Sequence, residues 1–175
     1  MPITRVLGID PGSETTGYGI IDTDGRNYHV VEYGAIRAPQ NTPFHLRLLN
    51  ISEKLEAIIA RAKPDVVSLE ESFYAANVKT AMKLGHVRGV ALVAAARAGL
   101  PIFEYSPLEV KSATVGYGRA EKHQVQEMVR IILNLPQAPQ PHDAADALAI
   151  AVCHIHHSAT INRIGASQSR QSRHK

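Results

Sequence analysis

The first apolar run of the chain, Val6, Leu7 and Ile9, is short, branched and closed by Pro11 and Gly12, the pattern of a buried strand that ends in a turn. Asp10 stands where that strand stops. Alternation from Gly17 to Asp22 predicts a second strand, and Asp24-Gly25 marks a hairpin into a third across Asn27 to Ala38. Links this short imply an antiparallel meander. From Pro43 the period changes to helical through Phe44, Leu48, Ile51, Leu55, Ile58 and Ile59, and Lys63-Pro64-Asp65 ends that helix near Arg61.

Val66 to Glu70 is a second short buried strand that ends in an acid. The following helix, Asn77 to Ala98, is small or apolar nearly all round in its second half, with Gly85 and Gly89 four apart. Such a helix is covered on more than one side, either by a partner subunit or by being wholly internal. Pro101 to Tyr105 reads as the last strand. Ser106-Pro107-Leu108-Glu109 has the form of a capping box with proline at the first helical position, so a short helix carrying Lys111 starts there. Glu121 to Leu135 is an amphipathic helix ended by Pro136, and a final helix runs from about Asp143 to His157. The whole is an α/β architecture: a five-stranded mixed sheet with an antiparallel edge and helices on both faces. The strand ending at Asp10 lies centrally, and crossover rules place the strand ending at Glu70 beside it.

Length and charge add three constraints. At 175 residues the chain fits one domain, residues 1–157, followed by a basic tail, 158–175, whose Ser, Gln and Arg-rich composition predicts disorder. The net charge of +3 is smaller than the contribution of Arg163, Arg170, Arg173 and Lys175 alone, so the body is slightly acidic. Between Lys79 and Arg130, however, bases outnumber acids, which permits a basic face toward a polyanion. The single Cys153 has no internal disulfide partner and fits a reducing compartment. No apolar run approaches the ~20 residues needed to cross a bilayer, and no signal-peptide pattern opens the chain. The expectation is a soluble, cytoplasmic protein.

The chemistry lies in the acids. Asp143 and Asp146 open the last helix at a spacing that shares one face, where they serve equally as first-turn charges favoured by the helix dipole. Asp10, likewise, is ordinary turn chemistry when taken alone. Together with Glu70, though, they bring three or four carboxylates to one sheet edge, where repulsion calls for cations. Oxygen-only donors suit hard divalent ions such as Mg²⁺. Two such ions about 3.5 to 4 Å apart are the requirement of phosphodiester hydrolysis without a covalent nucleophile. A serine-hydrolase reading finds no Gly-x-Ser-x-Gly elbow. His142 adjoins the acids as a possible ligand, whereas His154, His156 and His157 read as complements to a helix C-terminus.

These segments occur in a specific order: Gly8-Ile9-Asp10-Pro11-Gly12, Gly17-Tyr18-Gly19, Leu69-Glu70 with Phe73, Leu84 to Val90, Glu104-Tyr105, Val110-Lys111, Ala120-Glu121-Lys122, and Asp143 to Ala149. In that series the chain resembles the RuvC-type Holliday junction resolvases of the ribonuclease H-like superfamily. The resemblance implies a homodimeric endonuclease that makes paired symmetric nicks in four-way DNA junctions, in recombination and repair. It further implies 5′-phosphate products, two Mg²⁺ ions per site with Mn²⁺ able to substitute, and a RuvA/RuvB branch-migration complex as partner. By position, Asp10 bridges both ions, Glu70 holds one, and Asp143 with Asp146 the other. Phe73 and Tyr74 match a DNA-stacking position, and Lys111 and Lys122 match bases that approach the scissile strand. Two other readings share parts of this pattern: a ribonuclease H-like nuclease on another nucleic acid, and an actin-like ATPase or kinase fragment, whose first strand also ends Gly-x-Asp-x-Gly.

Overall fold

Strand alternation decides which side chains meet which helices. The computed structural model describes residues 2–71 and 77–171, with side chains placed as far as Ile161. Its sheet is built from β1 (Thr4–Asp10), β2 (Thr15–Thr23), β3 (Tyr28–Arg37), β4 (Val66–Glu70) and β5 (Ile102–Tyr105). Their order across the sheet is β3-β2-β1-β4-β5. The first three form the antiparallel meander, whereas β4 runs parallel to both β1 and β5. This is the five-stranded mixed sheet expected, with β1 at its centre.

Among the described residues five helices cover the sheet: α1 (Phe44–Ala62), α2 (Val78–Arg97), α3 (Pro107–Val115), α4 (Lys122–Ile132) and α5 (His142–Gln171). One core joins Leu7, Ile9, Ile20, Val67 and Leu69 to α1 and α2. The other joins Val6, Ile21 and Val66 to α3, α4 and α5. With a period of two, Gly8 and Asp10 follow Val6 onto the α5 face, and Ser68 and Glu70 follow Val66. Both strand-end acids therefore face α5.

Local signals set the helix ends. Asn77 caps α2 by accepting the Thr80 N–H at 2.9 Å, and the Ser106–Glu109 capping box opens α3. Helix α4 stops earlier than Pro136 suggested: Leu133 is its C-cap and Asn134 adopts a left-handed φ of 50°. Helix α5 departs further from expectation. It continues to Gln171 instead of ending at His157, since no proline interrupts 158–171 and each further residue adds a backbone hydrogen bond once the helix is nucleated. His154, His156 and His157 consequently sit mid-helix and cannot complement a C-terminus.

The wholly internal reading of α2 fails. Val87, Ala91, Ala94 and Ala95 are buried, but Val93 is 49 % and Met82 60 % exposed, and side-chain positions added at Gly85 or Gly89 would meet nothing. One face packs on the core. The other is bare.

Candidate active site

Three glycines fix the distance between α5 and the sheet. A Cβ added at Gly17 would lie 1.9 Å from the Asp143 carbonyl oxygen, and one at Gly8 would lie 2.1 Å from that of Ala147. At Gly19 it would lie 2.7 Å from the Leu148 side chain. Helix backbone thus rests directly on strand backbone, which only glycine permits. The first turn of α5, carrying Asp143 and one turn later Asp146, is pressed against the ends of β1 and β2.

The result is a cavity of about 260 Å³ lined by Asp10, Glu70 and Asp146 from β1, β4 and α5, with Lys111 of α3 and Lys122 of α4 on its wall. Val110, Val125 and Ile150 supply an apolar floor. Burial, reinforced by repulsion from Asp146, Glu70 and Asp143, pushes the Asp10 carboxyl up to about 8. Lys122 counters this only in part, since its ammonium pairs with Asp146 Oδ2 at 2.7 Å, a bond that raises the lysine's own pKa.

Of the residues expected at the site, Asp10, Glu70, Asp146, Lys111 and Lys122 share this cavity. Asp143 acts on Asp10 through its charge from the first turn of α5 but does not line the cavity. Nor does His142, the first residue of α5. Glu71 follows β4 and continues its ladder with β5, its N–H donating to the Tyr105 carbonyl at 2.7 Å, and it does not line the cavity. Phe73 and Tyr74 lie outside the described residues.

The donor set fits hard divalent ions. Clustered carboxylate oxygens raise Asp10's pKa, and a cation relieves that repulsion. Among the described residues, no three acids or histidines stand close enough to enclose an ion as they are, with Asp146 engaged by Lys122. Farther along α5, His154, His156 and His157 are no alternative centre. His154 Nδ1 meets the Tyr105 hydroxyl at 2.8 Å, and His156 meets the Ala113 carbonyl and the Tyr28 hydroxyl at 2.8 and 2.9 Å. Residues that sequence reasoning passed over are the three cradle glycines, read only as motif letters, and Arg47, a charge on the apolar stripe of α1.

Known proteins resemble this chain in sequence and in fold. The family model described as "Crossover junction endodeoxyribonuclease RuvC" matches residues 6–154. The chain is 53 % identical to the protein of that name from Koribacter versatilis, over 93 % of this chain and 98 % of the relative. It is 52 % identical to the one from Ruminiclostridium cellulolyticum, over 85 % and 90 %. Among solved structures, T. thermophilus RuvC in complex with a Holliday junction substrate aligns with a TM-score of 0.85 at 35 % identity, covering 90 % of this chain and 96 % of that one. With the family model spanning residues 6–154, relatives about 50 % identical over nearly their whole length and a solved structure of the same fold, the chain belongs to the RuvC family of crossover junction endodeoxyribonucleases.

Proposed function

We propose that this protein is a divalent-cation-dependent endonuclease that resolves four-way DNA junctions by paired nicks, leaving 5′-phosphate ends. The observation that carries this reading is the acidic cavity at the glycine-cradled end of α5, where burial and neighbouring carboxylates raise Asp10. Asp10, Glu70 and Asp146 would hold Mg²⁺ or Mn²⁺, with Asp143, and His142 beside it, completing the set. Two such ions would activate the attacking water and stabilise the leaving oxygen.

The chain's own residues do the rest. Asp10, recessed at the end of a central strand, offers oxygens on a fixed backbone. Lys122 and Lys111 present cations at the cavity wall, suited to the phosphates of the cut strand. The apolar floor of Val110, Val125 and Ile150 limits water around the reacting group. Phe73 and Tyr74 remain candidates for stacking on bases at the crossover. The bare small-residue face of α2 suits a second copy of the chain, so that two sites act on opposed strands. The RuvA/RuvB complex in the cytoplasm is the corresponding partner. Among the described residues no helix is long and apolar enough to cross a membrane.

The test is a cleavage assay on a synthetic four-way DNA junction, a linear duplex and an RNA·DNA hybrid in Mg²⁺. The four-way junction is expected to be cut selectively, and Asp10→Asn to bind it undiminished without cutting. Full cutting by Asp10→Asn would overturn the metal assignment. Preference for the hybrid would redirect the reading to a ribonuclease.

A further inference from the structure

Arg47 is a buried cation with no acid beside it. It lies on the core-facing stripe of α1 with Ile51, Leu55 and Ile58 and is only 5 % exposed. Among the described residues no carboxylate pairs with it, and its Nε has no hydrogen-bond partner. Its guanidinium stands 5.5 Å from the centre of the Phe44 ring. The one hydrogen bond it makes runs from Nη2 to the carbonyl oxygen of Ser13. Burying an uncompensated guanidinium is costly, and a methionine of similar length would fill the same space without that cost. Packing alone does not account for an arginine here.

The loop it grips begins at Asp10. Three consecutive carbonyls of that loop are each held from a different direction. Gly12 accepts from the Thr16 hydroxyl at 2.9 Å, Ser13 from Arg47, and Glu14 from the Ala38 N–H at 2.7 Å. Gly12 has no room for a side chain, because a Cβ would lie 2.1 Å from the Thr15 carbonyl. Helix α1 covers the sheet face opposite α5. Arg47 therefore reaches the loop from behind, while the acids of α5 approach Asp10 from the front. It is not among the charges that shift Asp10.

We propose that Arg47 is a positioning residue for Asp10: by holding the Ser13 carbonyl it fixes the turn that aims the Asp10 carboxylate into the cavity. This rests on the nuclease reading above, and the experiment separates the two. Arg47→Met and Arg47→Lys are compared with wild type for thermal unfolding, four-way junction affinity, kcat of junction cleavage, and Mn²⁺ affinity by calorimetry without DNA. Arg47→Met is expected to melt no lower than wild type and to bind the junction equally. Its kcat is expected to drop about 10- to 100-fold, the scale of a slight misplacement of a reacting group, with weaker Mn²⁺ binding. Arg47→Lys, which retains a donor, is expected to recover most of both. Wild-type kcat and Mn²⁺ affinity in Arg47→Met would overturn the proposal. So would a kcat loss matched by lost folded protein, failure of Arg47→Met to fold, or a lysine variant no better than the methionine. If the wild-type protein cuts no junction the nuclease reading falls, and the Mn²⁺ titration alone still decides the role of Arg47.

Discussion

Helix α5 carries titratable clusters in two regions about three turns apart, and the protein treats them in opposite ways. At its start, Asp143 and Asp146 face Asp10 and Glu70, with burial and repulsion driving Asp10 up to about 8. Farther along, both ring nitrogens of His154 and of His156 meet hydroxyl or carbonyl partners, and His157 packs on the Tyr105 ring with centroids 5.0 Å apart. Burial there pushes His154 down to about 4, keeping it neutral among aromatic neighbours. A satisfied cluster stabilises a fold. A crowded acidic one, through burial and repulsion, raises the pKa of the carboxyl at its centre, and such perturbation is a physical mark of a site.

The sharpest way to break that contrast is to substitute at both ends. Asp146→Asn is expected to lower junction cleavage by about 100-fold or more, on the scale of losing one group that stabilises transition-state charge. His156→Gln is expected to leave the rate unchanged, and single-turnover cleavage by the two variants checks both.

Stability should also respond to pH with opposite slopes. Asp10 in the fold keeps its proton to about pH 8, against an ordinary value of 3.8, so between these limits the fold binds more protons than the unfolded chain. Stability therefore falls as pH rises from about 4 to 8. Asp10→Asn is expected to melt higher than wild type at pH 8 in EDTA, with the difference vanishing near pH 4. His154 runs the other way. Between pH 6.5 and about 4 the unfolded chain takes up a proton that the fold refuses, so stability falls on acidification.

His154→Phe is expected to flatten that acid limb. At neutral pH it should cost about 1 to 3 kcal/mol, because the buried Tyr105 hydroxyl is left without its partner. Denaturant titration at pH 4.5 and 7 measures both effects. Smallest is the expected effect of Lys122→Met on binding: the slope of junction affinity against salt should lose about one unit. The same change frees Asp146, so Mg²⁺ affinity without DNA should rise, which calorimetry resolves.

Much of this was legible in the chain itself, for identifiable reasons. β1 and β4 announce themselves as short apolar runs stopped by an acid, and the same period of two puts Asp10 and Glu70 on one face. The i,i+3 spacing of Asp143 and Asp146 shares a helix face, although only packing settles that Asp146 opens onto the cavity and Asp143 does not. Signals that act at a distance were harder to read. Asn134 halts α4 through its backbone angle, where the eye goes to Pro136. The extension of α5 past His157 leaves no apolar period to detect. Arg47 is visible only as a charge out of place on the stripe Ile51, Leu55, Ile58, and its meaning appears when the Ser13 carbonyl is found beneath it.

Gly8, Gly17 and Gly19 shape the acidic cavity by what they lack. Their bare Cα atoms act as a gauge block between helix and sheet, and the span across which four carboxylates confront one another is set by that thickness. A single methyl group at Gly17 would shim the helix outward and leave every acid chemically intact, yet farther from its counterparts on the strands.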